Sequence, residues 1–290
     1  MLYSSITKVE VRFYRLLSRG INPMKPMKYV SLFLMLSVMW GAHFGMAQIT
    51  IDFSSEQGFS DGPLHRQSGA GEDRWNENQP GSFMVDAANG VVTFDSSAGN
   101  WNNAVFARGL AVGDAYVFVI DFRLTAGTPS PPRGNALLSR FELVGEDGSA
   151  FGIIRQRGGR ANFFDLQVAN NLPEGRSTQQ SDGFSGELIG LKVNRRGTAY
   201  TEATSNKLRL VIVHRRTGEE NTVESAVMLR DVASNEVIHG VVHRWEATEA
   251  WLKEEGKRFR MNTGNMNQSL GDNGATSISI DRIQIGVGMS

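Results

Sequence analysis

Residues 115–124 read AYVFVIDFRL. Every even position (Tyr116, Phe118, Ile120, Phe122, Leu124) is large and apolar, while the odd side ends in Asp121 and Arg123. Alternate side chains of a strand point to opposite faces, so this stretch predicts a strand with one buried face and one partly wet face. Leu208, Leu210 and Ile212 alternate with Arg209, Val211 and Val213 in the same way. The same period predicts strands over 49–53, 82–86, 91–94, 103–107, 136–144, 150–157, 161–168, 187–193, 225–231, 236–241 and 276–287. Turn signals such as Asn89-Gly90, Asp147-Gly148, Gly158-Gly159 and Thr217-Gly218 separate them. Residues 246–255 (EATEAWLKEE) read as the one helix, ending at Gly256. Strands do not alternate with long helices, which argues against a parallel α/β fold. Short strands broken by turns predict an all-β, two-sheet antiparallel sandwich.

The last strand carries a finer signal. Ile278 and Ile280 are even, but Ile283 and Ile285 are odd. A β-bulge at Asp281-Arg282 would keep all four isoleucines on the core side.

The N-terminus reads as an address. Residues 29–40, YVSLFLMLSVMW, form an apolar run preceded by Lys25 and Lys28 and followed by Gly45-Met46-Ala47. This is the layout of a secretory signal peptide cut before Gln48, and the run is too short to span a bilayer comfortably. Residues 1–23 fit no part of such a signal, and Met24 opens one of ordinary length. The reading is therefore 1–47 as signal with an upstream extension, and 48–290 as a single sandwich domain. The protein is expected outside the cytoplasm, secreted, periplasmic or at the cell surface, with no membrane span after cleavage. The 290 residues hold 30 basic and 30 acidic side chains. Without residues 1–47, which hold six basic residues and one acidic, the remainder carries 24 basic and 29 acidic residues. A mildly acidic body argues against nucleic-acid binding. The absence of cysteine excludes disulfides, zinc-thiolate sites and thiol nucleophiles.

The two ends of the body resemble secreted bacterial domains of the concanavalin A-like (LamG-like) sandwich class. The matching residues are Asp52-Phe53, GFSDGPLHRQ (58–67), Trp75, FMVDAANGVVTF (83–94) and SISIDRIQIGVG (277–288). The resemblance implies a jelly-roll sandwich whose first and last strands pair. It also implies glycan binding, an adhesive or accessory role, or occasionally polysaccharide cleavage. Glycosidases of this class resemble one another in a carboxylate run, E-x-D-x-x-E, which this chain lacks. Jelly-roll lyases share an arginine-rich strand, a Gln-x-His strand and a tyrosine strand. Arg140, Glu142, Arg155-Gln156-Arg157 and Tyr200 echo parts of that set, but no Gln-x-His occurs. No G-x-S-x-G nucleophile elbow is present either.

These absences favour a non-catalytic glycan-binding module, with an extracellular lyase or glycosidase as the alternative. No motif implies an organic cofactor. Asp52 and Asp281 fall on strands expected to be neighbours and are the candidate ligands of a structural Ca²⁺; their alternative role is to cap strand edges. His239 and His243 lie four apart, which on a strand separates them by about 13 Å and suits surface histidines better than a metal pair. Trp75 and Trp101, in polar loops, are either sugar-stacking platforms or inward pins. Gly158-Gly159 predicts a two-residue turn that sets Arg157 opposite Arg160, Arg155 opposite Asn162, Ile153 opposite Phe164 and Phe151 opposite Leu166. Arg155, Arg157, Arg160 and Asn162 would then gather at the turn, either screened by neighbours or holding an anionic polysaccharide.

Overall fold

The computed structural model describes residues 47–68, 74–95, 102–127, 136–263 and 277–288. The signal-peptide reading and Trp101 lie outside them. In chain order the strands begin with β1 (Ala47–Ile51), β2 (Gly62–Pro63), β3 (Trp75–Glu77), β4 (Met84–Asp86), β5 (Val91–Asp95), β6 (Asn103–Phe106) and β7 (Ala115–Thr125). The middle of the chain gives β8 (Ala136–Gly145), β9 (Gly148–Gln156), β10 (Phe163–Leu172), β11 (Gly175–Gln180), β12 (Phe184–Ser185), β13 (Lys192–Val193) and β14 (Tyr200–Glu202). β15 (Leu208–Arg216), β16 (Thr222–Asp231), β17 (Val237–Glu246), β18 (Arg258–Thr263) and β19 (Ser277–Gly288) follow. One short helix, α1 (Glu249–Lys253), lies between β17 and β18.

All the strands but β13 and β14, which pair with each other, form two large antiparallel sheets. One runs β17-β16-β15-β7-β19-β5-β4-β2, with β1 also on β19. The other runs β11-β10-β9-β8-β18-β6-β3, with β12 also on β10. The first and last strands pair, Ile51 facing Ile283, as the resemblance implied. The even side of β7 is the core side: Phe118, Ile120 and Leu124 are fully buried and Phe122 nearly so, while Arg123 is exposed. They belong to one apolar cluster shared by both sheets. Gly152 marks a close approach between them, because a Cβ there would stand 2.7 Å from Val227 and 2.8 Å from Ile212.

The bulge is where the isoleucine phase placed it. Ile280 pairs with Phe122 and Arg282 with Asp121, which skips Asp281. Ile278, Ile280, Ile283 and Ile285 are all fully buried.

Several expectations need correction. Residues 187–193 are not one strand: a 3-10 turn at Gly186–Ile189 and a left-handed Gly190 precede the two-residue β13. The helix is half the expected length, because Thr248 caps it by accepting from the Trp251 N–H and extended Glu254 ends it. β2, β3, β11, β12, β14 and β18 escaped the sequence reading; they are short, mixed or, in β11, without an apolar side chain. The largest correction is the hairpin at 158–159. The Arg157 N–H reaches the Phe163 carbonyl, and Asn162 takes a left-handed φ of 48°, so the connection is longer than two residues. Arg155 faces Asp165, not Asn162, and Leu166 faces Ile154, not Phe151. An odd shift exchanges the faces of one strand. Here it carries Phe164, Leu166 and Val168 into the core with Ile154. Phe151 and Ile153 go to the outer face, in a small cluster with Leu137 and Ala169. Burial of the longer apolar run overrides the turn dipeptide.

Candidate functional site

The outer face of the eight-stranded sheet holds the densest polar construction that contains sequence-derived candidates. On β9 the outward residues are Phe151, Ile153 and Arg155, and on β10 they are Asp165, Gln167 and Ala169. Arg155 grips Asp165 with both arms of its fork, Nε at 2.8 Å and Nη2 at 3.1 Å. Gln180 on β11 donates to the same carboxylate at 2.8 Å. Two strands away, Glu142 on β8 accepts from Arg260 and, at 2.7 Å, from Asn262, both on β18. Arg140, two residues before Glu142, pairs with it as well. The Arg140 guanidinium lies over the Phe151 ring, 3.6 Å from its centroid. Burial pulls the Arg140 pKa below its ordinary value, and Glu142 pushes back.

Both carboxylates have no solvent exposure, whereas the Arg140, Arg155 and Arg260 side chains keep 18%, 12% and 28%. The acids are therefore the supports, and the arginine side chains are the partly exposed members of each pair. A buried charge needs such pairing, and pairing fixes the long arginine side chains before any ligand arrives. At the turn end of the face, the Arg160 guanidinium stands 4.8 Å from the Phe163 ring centroid. Arg157 donates to the Asp182 carbonyl.

The arrangement does not form a carboxylate pair for glycoside hydrolysis. Glu142 is level with Phe151, and Asp165 is level with Arg155 on the strand between them. Two strand spacings and four residues put their Cα atoms about 16 Å apart, and both carboxylates are buried and engaged by arginines and amides. The lyase set is not gathered either. Tyr200 donates at 3.3 Å to Asn162, and burial pushes its pKa up to about 12.

Other candidates have structural partners. Trp75 is fully buried between Phe106, Phe53 and Phe259, with centroids 5.2, 6.2 and 6.4 Å away, so it pins β3 into the core. Asn162 is buried and donates to the Leu191 carbonyl at 3.2 Å, which makes it a loop brace. Asp52 accepts from the Ser54 hydroxyl at 2.7 Å, and Asp281 pairs with Lys207 at 3.0 Å. Among the described residues no three acidic or histidine side chains converge to hold a metal ion. His239 accepts from the Gly183 N–H and His243 meets Ser177 at 2.8 Å, so the two tie the edge of β17 to the opposite sheet. Burial lowers the pKa of both.

Sequence reasoning missed Asp165, Arg260, Asn262, Gln180 and Phe163. The alternation in RFRMNT (258–263), with Phe259 and Met261 inside and Arg258, Arg260 and Asn262 outside, was the available signal for β18.

Two strand faces invite comparison. The outer face of the nine-stranded sheet also clasps buried acids: Asp121 by Arg209 and Arg282, and Glu224 by Arg215 and Arg244. There each acid stands level with its arginines on the two flanking strands, and the positions between are largely Val117, Val119, Val211 and Val213. Among the described residues that face has the Gln284 amide, level with Val119, but no ring capped by a cation.

No helix among the described residues is long and apolar enough to cross a membrane. No family model matches the chain, and no curated protein matches its sequence. Solved structures similar to it include lectin II from Ulex europaeus, at 9% identity and a TM-score of 0.45 over 83% of this chain and 98% of that one. A GH43 glycoside hydrolase is 12% identical with a TM-score of 0.46, over 85% of this chain and 42% of that one. The CBM2 module of the evolved Dit of Lactobacillus casei BL23 phage J-1 is 11% identical with a TM-score of 0.40, over 86% and 93%. At these identities and scores the likeness carries no argument about what this chain binds.

Proposed function

We propose that the protein is a secreted, non-catalytic glycan-binding module that holds an extracellular polysaccharide on the outer face of its eight-stranded sheet. The observation that carries this reading is the set of fixed donors there. Arg140, Arg155 and Arg260 are held by buried Glu142 and Asp165, and amides of Gln180 and Asn262 stand beside them. Such donors suit hydroxyl and acid oxygens of sugars, and they are locked in place before binding. Glu142 and Asp165, the acids of this construction among the described residues, are buried and engaged by arginines and amides, which favours binding over cleavage.

The test is a glycan array run beside reducing-end and unsaturated-product assays on the bound polysaccharides. Binding without product is expected. Release of product would replace this reading with the enzymatic alternative, and no binding to any glycan would end it.

A further inference from the structure

The strand registers place the arginines on a line. Arg140 is paired with Ile153, two residues down β9 from Arg155. Arg260 is paired with Glu142, which is level with Phe151, two residues further down. Each step is thus one strand across and two residues along, about 8 Å between Cα atoms. Continued the other way, the same step reaches Phe163 on β10, which stands level with Arg157 and carries Arg160 on its ring. The sites Phe163/Arg160, Arg155, Arg140 and Arg260 therefore form one diagonal across β10, β9, β8 and β18, roughly 25 Å from end to end.

We infer that this diagonal is the track of a linear acidic polysaccharide, whose carboxylate or sulfate groups meet successive guanidinium groups, from Arg160 above Phe163 to Arg260. The inference rests on the proposed glycan binding and narrows it to a polyanionic chain. Three features point to a chain, not to one small sugar. The donors repeat with a constant step, they extend well beyond a monosaccharide, and the supporting acids lie beneath them with no exposure. Guanidinium forks match carboxylate and sulfate oxygens, and the Arg140, Arg155 and Arg260 side chains stay partly exposed while paired with buried acids. The body from Gln48 onward is net acidic, with 29 acidic against 24 basic residues. A general cationic attraction to polyanions is thereby excluded as the cause, and any such binding must be local.

The experiment measures retention of the secreted protein on uronic-acid and sulfated polysaccharides and on their neutral counterparts, across a salt series and with oligomers of increasing length. Arg260→Gln leaves Glu142 with Arg140 and Asn262. The double variant Arg155→Gln/Asp165→Asn removes a charge pair without stranding a buried acid. Arg244→Gln, on the opposite sheet, is the control for nonspecific charge. Melting curves establish that each variant is folded. Anionic chains should bind, more weakly as salt rises, and longer oligomers should bind better until about four sugar positions are spanned. Arg260→Gln and the double variant should each weaken binding about tenfold, and Arg244→Gln should not. Equal retention on neutral chains would overturn the anionic track while leaving glycan binding in place. Equal losses from Arg244→Gln, or none from the two track variants, would also overturn it. Failure to retain any glycan would remove both readings together.

Discussion

His214 is buried in β15, and burial pulls its pKa down to about 3. Its Nδ1 lies 2.8 Å from the Ser225 hydroxyl, which accepts from the Trp245 indole N–H at 2.8 Å. The ring is therefore neutral in the folded protein, while in the unfolded chain it titrates at the ordinary value near 6.5. The unfolded state binds the extra proton, so the His214 contribution is complete above that value and is lost as pH falls below it. The slope is up to about 1.4 kcal/mol per pH unit. Denaturant melts between pH 6.5 and 5 should show this slope, and it should flatten in His214→Gln; an unchanged slope would remove His214 as the cause. Ser225→Ala strands the Trp245 N–H and should cost about 1–3 kcal/mol. Trp75→Ala should cost about 3–5 kcal/mol, because it empties a ring-lined core site. Glycan affinity of the folded Trp75→Ala fraction should be unchanged. A selective loss of affinity at full stability would return Trp75 to the binding site.

At the scale of elements, faces and registers decide. Asp281 is the extra residue of the bulge, so deleting it leaves β19 in regular alternation with Ile278, Ile280, Ile283 and Ile285 still on the core side. The deletion variant should therefore still melt cooperatively, losing the Lys207–Asp281 ion pair; loss of cooperative melting would show that the bulge itself is needed for the packing of β19. Gly152→Ala should cost about 1–3 kcal/mol, since its Cβ would press on Val227 and Ile212 where the sheets meet. A neutral Gly152→Ala melt would mean that the sheets can separate locally at little cost. The hairpin at 158–159 is the instructive case. A glycine pair is a local cue worth little against the burial of Phe164, Leu166 and Val168, so the chain takes a longer turn through left-handed Asn162. That choice, made for the core, is what brings Arg155 to Asp165 and creates the polar face.

For the molecule as a whole, Edman or mass-spectrometric sequencing of secreted protein should find Gln48 at the N-terminus. A start within residues 1–23, or retained Tyr29–Trp40, would defeat the secretion reading. β1 begins at Ala47, so such a cut preserves the Ile49–Ile51 pairing with β19. Period-two alternation was enough to reveal the all-β class, the buried side of β7 and the β19 bulge. Each is a property of neighbours along one chain segment, and a strand's faces are set by that pattern alone. The resemblance at the two ends added the pairing of first and last strands. The arginine diagonal was not legible. Arg260 and Glu142 are 118 residues apart, and Arg155 meets Asp165 only through a register that no turn dipeptide announces. Trp75 sits among polar neighbours in the sequence, yet it is drawn fully into the core. Alternation along a strand is local; which strands adjoin, and in what register, follows from the burial of apolar surface summed over segments far apart in the chain. Tertiary structure alone therefore decided which charges stand together on the eight-stranded sheet.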